Sequence, residues 1–217
     1  MKKEHFTRFI LVRHGQTGWN KDERFRGRAD IELDDTGLQQ AQLAAGRIME
    51  WEISAVYSSP LKRAKSTAQA IADRFGLSIV TLDGLNDMNF GQWEGLLVSE
   101  VREKHAKLFN EWRHNPERFA VPGGESLDDV RKRVVATIDD LALKHEGETI
   151  AVVSHRVVCK VLLCHLLGLD NSHFWKIAQD STAVNAFEMY EIMGTGEKRA
   201  TVILINDTCH LGKHECR

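Results

Sequence analysis

Phe9-Ile10-Leu11-Val12-Arg13-His14-Gly15 is the stretch from which the rest of the chain is read. Four consecutive apolar residues bounded by polar neighbours predict a buried strand. In open α/β sheets, ligands bind in the crevice beyond the carboxyl ends of the strands. Arg13 and His14 stand at that end. A guanidinium recognises phosphate through planar, bidentate hydrogen bonds, and an imidazole is a nucleophile near neutral pH. On its own the tripeptide Arg13-His14-Gly15 is equally compatible with an ordinary loop, so its meaning depends on what other strands deliver.

A second apolar run, Thr149-Ile150-Ala151-Val152-Val153, leads directly into Ser154-His155. A shorter strand at 53–57 precedes Ser58-Ser59-Pro60-Leu61-Lys62-Arg63-Ala64. There serine is expected to cap a helix and proline to sit in its first turn, with the helix running over 61–75 and stopping at Gly76. If the three strands are parallel neighbours, Arg13, His14, Arg63 and His155 meet in one crevice, around a space suited to a tetrahedral anion. A helical arginine is commonly solvated and a lone histidine commonly structural. Their joint placement at strand ends is what favours a site.

Working outward, helical spacing predicts helices at 36–50, 126–145 and 157–167, and apolar runs predict strands at 79–82, 186–192 and 201–205. The stretch 91–122 holds two further helices rich in charge and tryptophan. Strands alternating with helices predict a three-layer α/β/α sandwich with a largely parallel central sheet. At 217 residues the chain fits one domain, 1–217, with a helical cap at 92–122. A net charge of −2 argues against a nucleic-acid or membrane-surface binder, which would show a basic excess. No stretch approaches the roughly twenty apolar residues of a membrane span, and the apolar run behind Met1-Lys2-Lys3-Glu4-His5 is too short for a signal peptide. The chain therefore reads as cytoplasmic. Its four cysteines form no disulfide framework; Cys159 and Cys164 fall in an apolar helix. Cys209-His210-Leu211-Gly212-Lys213-His214-Glu215-Cys216 gathers soft ligands, but at a spacing that matches no compact zinc module, so no metal is assigned.

Six ordered blocks resemble the histidine phosphatase superfamily, the group that includes cofactor-dependent phosphoglycerate mutases. Arg13-His14-Gly15-Gln16-Thr17 with Trp19-Asn20 matches RHGxTxWN, and Ala29-Asp30-Ile31-Glu32-Leu33 through Gly37 is similar to DxPLTxxG with Glu32 at the proline. Ser58 to Ala64 with Thr67-Ala68 resembles SSPLxRAxxTA, Gly91-Gln92-Trp93-Glu94-Gly95 resembles GxWEG, Gly123-Gly124-Glu125-Ser126 resembles GGES, and Val153-Ser154-His155 carries the second histidine. The likeness spans about residues 9–211. It implies a phosphoglycerate mutase-like fold and a phosphohistidine intermediate on His14. It also implies that Arg13, Arg63 and His155 hold the phosphoryl oxygens, that Asn20 contacts the pocket, and that no metal or other cofactor is required.

An alkoxide leaving group needs a proton. The family's acid is usually a glutamate two residues after a leucine. In Leu85-Asn86-Asp87-Met88-Asn89-Phe90-Gly91 that position is Asp87, one methylene shorter, so backbone position or a water must make up the reach. Glu94 competes, but its block suggests a structural role.

Arg26 stands where the family commonly has glutamine, and Arg156 where it commonly has glycine. Both enlarge the positive field, which favours a substrate with a second anionic group; an Arg156 that simply points outward at the rim is the other reading. The expected activity is hydrolysis of a small phosphomonoester. Phosphoglycerate mutase is the alternative, weakened because Met88 and Phe90 replace the arginine and tyrosine of the mutase LNERHYG segment. A non-catalytic phospholigand-binding module is the third reading, disfavoured by the complete set of Arg13, His14, Arg63 and His155. An edge strand would offer a route to a homodimer.

Overall fold

In the computed structural model, which describes residues 6–192, 195 and 197–212, the run around Phe9 becomes β1 (Phe6–Arg13). Five more strands complete one sheet: β2 (Ile53–Ser58), β3 (Ile79–Thr81), β4 (Thr149–Ser154), β5 (Val184–Glu191) and β6 (Lys198–Asp207). Their spatial order is β3-β2-β4-β1-β5-β6. The first four are mutually parallel, and β5 and β6 add antiparallel ladders at one edge. The sheet is thus largely parallel, as the alternating pattern predicts. Residues 1–5 and residues 213–216 of the C-terminal cluster lie outside the described residues.

Seven helices are described: α1 (Gly18–Lys21), α2 (Asp35–Arg47), α3 (Lys62–Phe75), α4 (Val98–Lys104), α5 (Ala106–His114), α6 (Leu127–Lys144) and α7 (Arg156–Leu166). The continuous apolar run in β1 follows from burial of both faces. Ile10 and Val12 pack with Val56, Ala151 and Val153 against Ala41 and Ala45 of α2 and Ala64, Ala68 and Ile71 of α3. Phe9 and Leu11 face the other way, into a cluster with Val130, Val134 and Ile138 of α6 and Val158 and Leu162 of α7. Alternate residues of one strand thereby bind two helical layers, and the strand is fixed in register from both sides.

The start of α3 departs from the expected cap. The helix begins at Lys62, one residue late, with Leu61 at the N-cap and Pro60 outside the first turn. Ser59 accepts the Leu61 amide at 3.3 Å, while Asp30 accepts the Lys62 amide at 2.7 Å. The serine hydroxyl is shared with a histidine of the site, so a loop aspartate supplies part of the capping.

Candidate active site

β2, β4 and β1 are adjacent and parallel, so their carboxyl ends lie side by side. Arg13 is the last residue of β1, His155 follows β4, and Arg63 sits in the first turn of the helix after β2. All four predicted residues are buried. The His14 and His155 ring centroids are 5.1 Å apart.

His14 Nδ1 lies 2.6 Å from the Gly15 carbonyl oxygen, which can only accept. Nδ1 therefore carries the hydrogen, leaving the Nε2 lone pair free. Burial, reinforced by Arg63, Arg13 and Arg26, drives the His14 pKa well below its ordinary value and keeps the ring neutral. A neutral, singly oriented imidazole is the form that can attack phosphorus. Two glycines make the approach of its loop possible. A Cβ on Gly15 would fall 2.5 Å from the Gly37 oxygen, and one on Gly37 only 2.0 Å from the Gln16 oxygen. The Gly15 amide is tied to Thr67 of α3 at 3.1 Å.

Arg63 is held by the carbonyls of Gly27 and Ala29, both at 2.7 Å, and by Asp87 Oδ2 at 3.1 Å. Arg13 donates to the Gln179 carbonyl at 2.6 Å. Burial, then Arg26 and Arg156, lowers the Arg13 pKa to about 9, so it stays charged at neutral pH. His155 Nε2 is 2.8 Å from the Ser59 hydroxyl, and its Nδ1 is 3.6 Å from Asp87 Oδ2. Burial, followed by Arg63, His14 and other cations, lowers its pKa as well. The Nε atoms of Arg13, Arg63 and Arg26 and Nδ1 of His155 are buried without a hydrogen-bond partner among the described residues. Buried donors of this kind are costly alone, and an oxyanion would satisfy them.

Asp87 reaches this cluster because its backbone is clamped. Arg133 of α6 donates to the carbonyls of Gly84, Asn86 and Asp87 at 3.0, 2.7 and 3.0 Å and is itself gripped by Glu125. Met88 N–H holds Asp87 Oδ1 at 2.9 Å, turning Oδ2 toward Arg63 and His155. Glu94 Oε1 accepts from the Arg28 and Phe90 amides, at 2.9 and 3.1 Å.

A cavity of about 580 Å3 opens beside the site, lined by Asn20, Arg26, Asp87 and Arg156. Arg156, exposed at the rim, shares this lining with Arg102 and Arg113 of α4 and α5 and with the aromatic wall of Phe109, Phe174 and Trp175. Arg26 is half-buried and bonds only weakly to the Trp19 carbonyl, at 3.4 Å. Burial, opposed by Asp87 and assisted by Arg63 and Arg156, lowers its pKa to about 10. Asn20 accepts from the Thr17 amide and hydroxyl through Oδ1.

Sequence reasoning missed Ser59, Gln179, Arg133, Arg102 and Arg113. Ser59 lies inside the stretch 58–64, where a serine signals only a helix cap. The other four carry no local signal, because they meet the site through tertiary packing. Among the described residues there is no group of three or more His, Cys, Asp or Glu side chains placed to hold a metal.

Paired histidines and arginines at the carboxyl ends of parallel strands, with a carboxyl beside them, form a cationic pocket suited to a tetrahedral oxyanion in an α/β fold. The chain belongs to the histidine phosphatase superfamily (branch 1), whose family model matches residues 9–201. Phosphoserine phosphatase 1 of Hydrogenobacter thermophilus is 36% identical over 206 residues, covering 95% of each chain. Phosphoglycerate mutase-like protein 4 of Arabidopsis thaliana is 39% identical over 209 residues, covering 95% of this chain and 87% of that one. Among solved structures, Bacillus stearothermophilus YhfR superposes with a TM-score of 0.87 at 29% identity, covering 94% of this chain and 99% of that one. A phosphoserine phosphatase from Entamoeba histolytica, in complex with 3-phosphoglyceric acid, gives 0.80 at 30% identity, covering 94% and 99%. The protein is a phosphatase that hydrolyses phosphomonoesters. No described helix is long and apolar enough to cross a membrane.

Proposed function

We propose that this phosphatase is a cytoplasmic enzyme needing no metal, and that it works through a phosphohistidine on His14. His14 Nε2 attacks phosphorus in line, forming an N–P bond as the P–O bond to the alcohol breaks. Arg13, Arg63 and His155 carry the negative charge on the phosphoryl oxygens, which is the main catalytic requirement of a loose transition state. Asp87 gives its proton to the departing alkoxide. A water then attacks phosphorus, returns a proton to Asp87 and releases inorganic phosphate with His14 free. The observation that carries this reading is the single hydrogen bond from His14 Nδ1 to the Gly15 carbonyl, which leaves Nε2 unprotonated among buried cations.

The substrate we propose carries a second anionic group, received by Arg26 and Arg156 with Asn20 beside them. Residues 92–122 act as the cap that shapes this space. Hydrolysis is favoured over mutase chemistry because Met88 and Phe90 are buried in the hydrophobic core and offer a phosphoglycerate no polar contact. Edge strand β6, with Ile203 and Ile205 exposed, supports the homodimer within the same proposal.

Ranking phosphomonoesters by kcat/KM tests the substrate class. Phosphoserine and 3-phosphoglycerate are expected to outrank p-nitrophenyl phosphate. Arg26→Gln and Arg156→Gly should raise KM for those two more than for the aryl ester. Equal effects on all three would contradict the second-anion assignment, and phosphoglycerate interconversion dependent on a bisphosphate primer would assign a mutase.

A further inference from the structure

The guanidiniums of Arg13 and Arg63 are held in different ways. Arg63 is fixed from three sides, by Gly27, Ala29 and Asp87. Arg13 has a single side-chain hydrogen bond, from Nη1 to the Gln179 carbonyl, and its Nε is buried without a partner among the described residues. The plane of Arg13 therefore depends on where segment 179–183 holds that carbonyl.

The same segment grips the backbone of the catalytic dipeptide. Ala183 O accepts the Arg13 amide at 3.2 Å, and the Thr182 amide points at His14 O at 3.4 Å. Thr182 is fully buried at φ +53°, a left-handed conformation rarely adopted by a β-branched residue. Such strain persists where the surroundings over-determine the backbone. Here they do so through two buried amides. Gln179 Nε2 donates to Asn185 Oδ1 at 2.7 Å, and Asn185 Nδ2 donates back to Gln179 Oε1 at 3.0 Å. Asn185 Nδ2 also reaches Leu11 O at 3.1 Å, two residues before Arg13 in β1. Its Oδ1 accepts the Asn206 amide at 2.8 Å, at an irregularity in the β5–β6 ladder. Both side chains are buried, and every bond is internal. A satisfied polar pair of this kind rigidifies and specifies its surroundings more sharply than apolar packing does.

We infer that Gln179 and Asn185 are positioning residues: their reciprocal amide pair fastens segment 179–183 as a buckle that sets the orientation of the Arg13 guanidinium. The inference rests on the phosphate-binding role proposed for Arg13. Loosening the buckle leaves the reacting groups present but displaced, and a shift of about 1 Å can cost on the order of 100-fold in rate.

A double-mutant cycle on the full chain tests it, reading kcat/KM for p-nitrophenyl phosphate with folding checked by thermal denaturation. Asn185→Ala is expected to lower kcat/KM at least about tenfold in the wild-type background and less than about twofold in an Arg13→Ala background. Gln179→Ala, which keeps the backbone carbonyl, is expected to show the same coupling and carries the test should Asn185→Ala not fold. A merely structural role would give equal fold-losses in both backgrounds. That result, or full activity in a folded single variant, would overturn the inference while leaving the role of Arg13 intact. An Arg13→Ala enzyme as active as wild type would instead remove the role of Arg13, and the buckle's function with it.

Discussion

Chemistry at this site turns on which carboxyl can meet the leaving group. Asp87 Oδ2 lies against Arg63 and His155, whereas Glu94 Oε1 accepts from two backbone amides, those of Arg28 and Phe90. Geometry precedes acidity in choosing a general acid. Asp87→Asn should therefore slow single-turnover phosphoryl transfer by about 100-fold or more, the usual range for loss of a general acid. Glu94→Gln keeps an acceptor oxygen for the Arg28 and Phe90 amides and should change the rate by less than about threefold, well below that range. Rapid-quench measurement of the alcohol released checks both. Comparable rates for wild type and Asp87→Asn would remove Asp87 from the mechanism. The choice of Asp87 as the proposed acid was legible from its place after Leu85. Its orientation was not, because the reach lost with one methylene is recovered by Arg133, 46 residues away in sequence but adjacent in space.

At the scale of elements, start and stop signals were read more reliably where one residue serves one purpose. The helix expected over 126–145 begins one residue later, at Leu127, and Ser126 is its cap: its hydroxyl accepts the Asp129 amide at 3.2 Å, and Asp129 accepts the Ser126 amide at 3.0 Å. Ser126→Ala should cost about 1 kcal/mol of stability, read as a lower urea midpoint with unchanged slope. An unchanged midpoint would mean the box contributes nothing. Ser59 shows the opposite case. It looks like a cap in the sequence, but its hydroxyl faces His155, and a loop aspartate takes up the Lys62 amide. The sequence placed two helices rich in charge and tryptophan within 91–122, where α4 and α5 lie, but not which of their side chains line the cavity. Arg102 and Arg113 resemble any solvated arginines until α7 and the 3-10 turn carrying Phe174 and Trp175 close the opposite wall.

For the whole molecule, the three layers followed from two apolar strands and the helices between them, because a strand buried on both faces requires helices on both. The antiparallel edge, by contrast, is set by β5 and β6 pairing, which no residue pattern distinguished from further parallel strands. The assembled fold also has an electrostatic consequence. His14 and His155 are neutral in the native state to well below pH 6.5, but they take up protons near that pH once unfolded. Below pH 6.5 the unfolded chain therefore binds more protons, so stability falls as pH falls and levels off above. The slope is up to about 1.4 kcal/mol per pH unit for each histidine. Denaturation of wild type and His14→Gln at pH 5, 6 and 7.5 should show a shallower slope for the variant, and identical slopes would contradict the buried neutral imidazole. The central claim is that His14 carries the phosphoryl group, and the most direct measurement is rapid quenching of the enzyme with a 32P-labelled phosphomonoester. The account predicts an acid-labile, alkali-stable label on the peptide containing His14, absent from His14→Ala. Label on another residue, or its retention in His14→Ala, would contradict it.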